Sequence, residues 1–337
     1  MKAGLVPFST FGIGSVPYVE GKNSCEEIFR RFDIPFWPQY PARSLREKMV
    51  FQFLSSFPGL SVSENHVSFD EALYENQIEP YRARLQQAFS ENNFFFFEPP
   101  EAWALGYAQM KALLETTSRP DKQVVKLQVT GPAAVWNAFF SNRVSSKNAR
   151  QVFDDLSHCL TASGLAQIQR FHSLGVFALI LIDEPFPGDN LGALKKMIHR
   201  FKKETALSGL HVCSNAKWPN LEELEMDFFH FDCSICQELD EPQELFLQSL
   251  VKKGGWIGWG IIPTSDDFEF KVPDRASILL NWLRRIWGES FSTEELLEHS
   301  LLAPACGTGT LTREADQKVT QCLIQTAEEL KNLYFLS

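Results

Sequence analysis

From residue 124 onward, short apolar runs alternate with longer amphipathic stretches. VVKLQVTGP (124–132) is a β-branched run closed by Gly-Pro, and VFALILIDEP (176–185) is continuously apolar until two carboxylates end it. Apolar runs of this length, bounded by turn residues, predict strands buried on both faces of a parallel sheet. SGLHVCSN (208–215), DFFHFDCS (227–234), GWIGWGIIP (255–263) and SLLAPACG (300–307) continue the series. Helix-period stretches at about 147–174, 190–206, 219–225, 241–252, 273–288 and 312–334 separate and follow them.

The first third is less regular. Residues 24–57 are amphipathic but interrupted by IPFWPQYP, residues 60–69 alternate as a strand or hairpin would, and 101–117 return to helix periodicity. NFFFFEPP (93–100) suits a buried strand or an apolar lid, and its four consecutive Phe residues do not separate the two. GIGSVP (12–17) reads as a short strand entering a Gly/Ser turn whose backbone N–H groups can face a ligand; an ordinary strand-to-loop turn reads the same way. Counting GIGSVP and one strand from 60–98 gives eight strand candidates. The expected architecture is therefore α/β, a single (β/α)8 TIM barrel over residues 1–337 with a short N-terminal extension or hairpin insertion. Ser15, Thr130, Asp183, Cys213, Asp232, Pro263 and Cys306 all end expected strands. Barrel strands converge at their C-terminal ends on one mouth, where active sites lie.

Composition narrows the function classes. An apolar fraction of 44% supports a sizeable core, and a net charge of −10 with no Lys/Arg block argues against a nucleic-acid partner. No run approaches the ~18 apolar residues of a membrane span. Pro7 and Pro17 interrupt the N-terminal apolar stretch before a signal-peptide core forms. Seven cysteines scattered without a disulfide-like framework suit a reducing cytoplasm.

Two thiols and an imidazole stand out. In His211-Val212-Cys213, positions i and i+2 of a strand share a face, so both side chains can reach one ion. Cys306 ends the last strand and Asp232 an intervening one, and zinc favours thiolate and imidazole donors in a tetrahedron. Each signal is weak alone. Buried cysteines commonly do nothing but pack, and His-x-Cys is unsurprising in a chain with seven residues of each kind. Cys233 and Cys236 form a rival C-x2-C, but no second such pair completes it, and packing thiols explain it as well. His230 alternates onto the face of Asp232, as a ligand or as a partner of one. Asp183-Glu184 is costly to bury unpaired; it would bind an amino group, hold a proton or cap the next helix.

Together these motifs resemble the catalytic barrel of cobalamin-independent methionine synthase, within the wider uroporphyrinogen-decarboxylase-like and methionine-synthase-like superfamily. GIGSVP is similar to that family's IGS-x-P opening, KLQVTGP to its LTGP strand, LIDEP to IDEP, HVC to the H-x-C zinc pair and PACGTGT to the closing PDCG-x-x-T. The order is the same, and the likeness runs over almost the whole chain. It implies a Zn2+ site of His211, Cys213, Asp232 and Cys306, with Asp232 standing where the family has Glu. Asp is one carbon, roughly 1.5 Å, shorter. The resemblance also implies that Ile13, Gly14, Ser15 and Asp183 hold the amino-acid part of homocysteine, with Glu184 beside them. The family's further amino-group Glu, in an M-V-E triplet, aligns with Met49-Val50-Phe51, so Phe51 replaces that carboxylate and leaves room for another thiol.

The activity implied is zinc-dependent methyl transfer to a small-molecule thiol. The methyl donor implied is methyltetrahydrofolate or methylcobalamin carried by a corrinoid protein partner. Full-length members carry a second, N-terminal barrel for which 337 residues leave no room. Zinc methyltransferases acting on coenzyme M share the barrel and a similar site. Two rival readings remain open. A uroporphyrinogen-decarboxylase-like enzyme needs an Arg-rich N-terminal loop, and residues 1–29 contain no Arg. A non-catalytic zinc- or thiol-binding homologue is kept open by Asp232 and Phe51.

Overall fold

A computed structural model of the chain describes residues 4–19, 24–117, 124–188, 191–204, 206–214, 218, 220–233, 239–267, 276–277, 279–280 and 297–335. The N-terminal third contributes α1 (Ser24–Arg31), a hairpin of β1 (Leu60–Val62) and β2 (Val67–Phe69), α2 (Glu71–Glu91) and α3 (Leu105–Thr116). The regular alternation follows: β3 (Val124–Thr130), α4 (Pro132–Val135), α5 (Ala149–Ser173), β4 (Phe177–Asp183), α6 (Leu191–Lys203) and β5 (Leu207–Val212). It continues through β6 (Phe228–Asp232), α7 (Glu241–Lys252), β7 (Trp256–Ile262), β8 (Ser300–Pro304) and α8 (Arg313–Phe335). Strands β3 to β8 form one six-stranded parallel sheet in chain order. Their continuous apolar runs are explained by burial on both faces. Ile180, Ile182, Leu210, Val212, Phe229 and Phe231 pack on the helix side. Leu179, Leu181, Phe228 and Leu301 meet Phe11 and Ile13 on the other.

The expected closed barrel of eight strands is not what forms. Residues 60–69 make a separate antiparallel hairpin, Leu60 opposite Phe69, and GIGSVP carries only an isolated bridge from Ser15 to Gln39. Extended chain flanks the sheet's two edges instead, with Thr10 bridging Leu302 on β8 and Phe36 bridging Lys126 on β3. The sequence supplies the reason. Pro35, Pro38 and Pro41 lack the N–H that a ladder needs. Residues 34–39 therefore make scattered bonds, such as Lys126 N–H to Pro35 O at 2.8 Å and Gln39 N–H to Gly14 O at 2.9 Å.

Other expectations shift less. The 219–225 helix shrinks to a 3-10 turn, Leu221–Leu224, and the one at 273–288 lies mostly outside the described residues. NFFFFEPP forms a single 3-10 turn, Phe95–Phe97, rather than a strand. Phe95 and Phe96 there are exposed, with the guanidinium groups of Arg170 and Arg84 over their rings at 4.5 and 4.2 Å. Helix α2 had no expectation attached to it. It starts on an Asp70 cap that accepts from Leu73 N–H at 2.9 Å, and it absorbs Pro80.

The sheet register does the positioning. Thr130, Asp183, His211, His230 and Gly258 are successive Cα partners across β3 to β7, so one row of polar side chains crosses an apolar face. Asp232 stands one strand position pair further on, opposite Gly260.

Candidate metal centre

The row places His211 at the end of β5, with Cys213 just beyond it where the chain leaves the sheet. Cys306 follows β8 by two residues. Ligand atoms of His211, Cys213 and Cys306 all lie within 4.8 Å of one another, and His211 Nε2 is 3.9 Å from Cys306 Sγ. Tetrahedral zinc holds neighbouring sulfur and nitrogen donors roughly 3.5–3.8 Å apart. The trio thus needs to contract by only a fraction of an ångström to about 1 Å to close on one ion. His211 is buried, whereas both cysteines are half-exposed, so the thiols face the open side. Asp232 is not a member of this group. Its charge still bears on both thiols, raising the pKa of each.

Electrostatics suit a cation. Cys306 is pushed below the usual thiol range, chiefly because it accepts a hydrogen bond from the Cys213 thiol, against the opposing effect of burial. Cys213 is pushed far up by the same contact and by burial. The pair therefore gives up one proton readily and resists losing the second, because two adjacent thiolates repel. A divalent ion removes that repulsion. His211 is held far below its usual range, mainly by burial, and is neutral as a ligand must be. No described cysteine is in a disulfide.

Next along the row stands a carboxylate end. Asp183 is pushed up to about 6 by burial, with Lys126 pulling the other way, and Glu184 is pushed up to about 8 by burial. Glu184 Oε2 accepts the N–H groups of Ala133 and Ala134 at 3.0 and 3.2 Å, so one oxygen caps α4. Asp183 Oδ1 and Glu184 Oε1 are buried without a partner. Helix capping thus accounts for one oxygen of Glu184, while the other is left without a partner.

GIGS reaches the same region, with its carbonyl and hydroxyl oxygens engaged. Ile13 O accepts from Lys126 Nζ. Ser15 O accepts from Thr308 N–H at 2.9 Å, and Ser15 Oγ from Gly309 N–H at 3.3 Å. Gly14 has φ of +147°, and a Cβ there would fall 2.8 Å from Gln39 Oε1, so glycine is required. A cavity of about 30 Å3 between this turn and Cys306 has room for little more than a water. Phe51 packs edge-on against Phe139 at 5.1 Å, and the adjacent Met49 O accepts from Thr130 Oγ1 at 2.6 Å.

Sequence reasoning missed Lys126 and Gln128, both fully buried. Their signal was available: Lys126, Gln128 and Thr130 are the polar positions of a period-two alternation that points them to one face. It also left the role of His230 open. The structure joins His230 Nδ1 to His211 Nδ1 at 2.7 Å and His230 Nε2 to Pro304 O at 3.1 Å. Cys233 is buried, and Cys236, its partner in the rival motif, lies outside the described residues. Among the described residues no helix is long and apolar enough to cross a membrane.

No protein-family model matches the chain, and no curated protein matches it. Among solved structures, a B12-independent methionine synthase from Shewanella sp. W3-18-1, in complex with selenomethionine, is similar at 14% identity and a TM-score of 0.49, over 68% of this chain and 68% of that one. A structure of the pneumococcal virulence factor StrH, concerned with N-glycan recognition and hydrolysis, is similar at 10% identity and a TM-score of 0.45, over 98% of this chain and 84% of that one. The tandem GH20 catalytic modules of the pneumococcal exo-β-D-N-acetylglucosaminidase StrH give 9% and 0.42, over 97% and 84%. Function is argued from this chain's own side chains.

Proposed function

We propose that this chain is a zinc-dependent methyltransferase that moves a methyl group to a small-molecule thiol. One observation carries the reading: His211, Cys213 and Cys306, from two distant parts of the chain, converge within 4.8 Å. Two thiols and a neutral imidazole are a zinc donor set, and three protein ligands leave a position for substrate. Zinc held there would supply Lewis acidity that keeps a substrate sulfur as thiolate at neutral pH. In the transfer, the thiolate lone pair forms the S–C bond. The donor's bond to methyl breaks and leaves its electron pair on the donor, a methyl-folate or methylated corrinoid protein. The thiol's proton goes to solvent.

The chain's own residues hold the acceptor. The partnerless oxygens of Asp183 and Glu184 are suited to hydrogen-bond donors on the acceptor, such as the amino group of homocysteine. Gly14 and Ser15 shape the wall beside Cys306. Phe51, where the resemblance calls for a carboxylate, favours a second reading in which zinc is bound without catalysis. Asp232 enters either reading as a nearby charge rather than as a ligand.

The test is metal content followed by turnover. One zinc per wild-type chain, lost in His211→Ala and Cys306→Ser, is expected, with Asp232→Asn keeping it. Full zinc stoichiometry in either of the first two variants would falsify the site. Methyl transfer from methylcobalamin or methyltetrahydrofolate to a panel of thiols then separates the two readings, and zinc with no transfer to any thiol favours the non-catalytic one.

A further inference from the structure

His230 lies on β6 directly opposite His211 on β5. The two rings share a face, with centroids 4.7 Å apart, and His230 is fully buried. Its two nitrogens have different partners. Nε2 is 3.1 Å from the carbonyl oxygen of Pro304, the last residue of β8. A carbonyl has no proton to give, so Nε2 must carry the proton and donate. His230 is fully buried and neither of its hydrogen-bond partners is a carboxylate, so a second proton would make it an unpaired buried cation; Nδ1 therefore carries none and must accept. Among the described residues its partner there is His211 Nδ1, 2.7 Å away. His211 is therefore the Nδ1–H tautomer, and its lone pair sits on Nε2, the atom that faces Cys306 Sγ at 3.9 Å.

We infer that His230 is a positioning residue that fixes which nitrogen of His211 binds metal and, through the Pro304 carbonyl, ties the Cys306 arm to the His211 arm. This rests on the zinc reading above. Both nitrogens of His230 are committed, which removes it as a ligand. Pro304 is two residues before Cys306, so one imidazole braces donors that lie on opposite sides of β6 and β7 in the sheet. The ring is itself clamped. Phe11 meets it edge-on at 5.6 Å and 79°. Gly258, its partner on β7, leaves the space: a Cβ there would lie 2.9 Å from Phe11 Cζ and 3.2 Å from His230 Cβ. With no solvent access, no water can replace either bond. Partners of this kind fix tautomer and ring orientation in metal sites, and their loss typically costs ~10–100-fold in metal affinity.

The experiment uses the full chain, stripped of metal, with wild type, His230→Phe and His230→Gln. Zn2+ is titrated in competition with a chromophoric chelator, and Co2+ is added as a spectroscopic probe. His230→Phe fills the same buried space without nitrogen atoms, and is expected to bind Zn2+ about 10–100-fold more weakly with altered thiolate-to-Co2+ absorption. His230→Gln, which carries one donor and one acceptor, is expected to recover most of the loss. A His230→Phe protein with wild-type Zn2+ affinity and Co2+ spectrum overturns the inference while leaving the zinc reading intact. A wild type that binds no zinc overturns both. Should His230→Phe fail to fold, 15N-histidine NMR of the metal-free wild type decides. Expected are an Nδ1–H tautomer for His211 and an Nε2–H tautomer for His230, and either opposite tautomer overturns the inference.

Discussion

The two ends of the polar row solve the burial of polar groups in opposite ways. At the thiol end, no buried nitrogen or oxygen of His211 or His230 lacks a partner. The Cys213 thiol donates to Cys306, and the network closes on itself with each of these polar groups paired. At the carboxylate end, Asp183 and Glu184 are buried with one oxygen each unpartnered, and Lys126 is the cation whose charge bears on Asp183. A closed network is stable as it stands and has lone pairs to offer a cation. An open one is held at a cost, since an unpaired buried acceptor costs ~1–3 kcal/mol. On the proposed reading the difference divides the parts: the first end would hold the metal, and the second would be completed by a ligand that brings donors.

The largest test falls on the cation. Lys126 is fully buried and bonded to Ile13 O and Gln128 Oε1, at 3.0 Å for the latter. Burial lowers its pKa to about 8, while Asp183 raises it. Lys126→Met keeps the volume and strips the charge, and should cost ~3–5 kcal/mol in urea denaturation at neutral pH, because it leaves the buried Asp183 without the cation whose charge offsets it. A cost below ~1 kcal/mol would mean that Asp183 is not an ionised partner, and the contrast between the two ends would collapse.

At the thiol end the corresponding probe is steric. Gly258→Ala puts a methyl 2.6 Å from Phe228 Cζ and 2.9 Å from Phe11 Cζ, against the ring that braces His230. Overpacking of that kind costs ~1–3 kcal/mol. A fall in Zn2+ affinity should accompany the lower urea midpoint. Destabilisation with unchanged affinity would show that the clamp on His230 serves packing alone.

What was legible in the sequence follows the same division. Strands β3 to β8 were legible because burial on both faces writes itself as unbroken apolar runs. The thiol end was legible because His211 and Cys213 sit two apart at the end of one run and Cys306 ends another. The N-terminal segments misled because GIGSVP and the 60–69 hairpin look like strands of the same sheet. The chain that does bond to β3 instead runs through IPFWPQYP, whose prolines erase any period. Helix α2 escaped because its polar residues leave no clean stripe and Pro80 sits inside it. Asp232 was placed by strand position, which gives the face of a side chain but not its reach. Lys126 and Gln128 were visible as alternating polar positions, yet only the register of β3 against β4 shows that they stand behind Asp183.

The smallest expected effect is a change of slope with pH. Glu184 is raised to about 8 in the folded chain, against ~4.3 when unfolded. Between those values the folded state binds the extra proton, so the stabilisation is full below the unfolded pKa and is lost as pH rises through the folded one. Asp183 acts in the same direction up to about 6. Glu184→Gln keeps an oxygen to accept from Ala133 and Ala134 N–H and removes the titration. Near pH 5 the variant should match the wild type, whose Glu184 is then protonated. Toward pH 9 it should be the more stable by on the order of 1–3 kcal/mol. Urea midpoints measured from pH 5 to 9 read this directly. Parallel curves would mean that Glu184 ionises in place at no cost, and the carboxylate end would then be as fully satisfied as the thiol end.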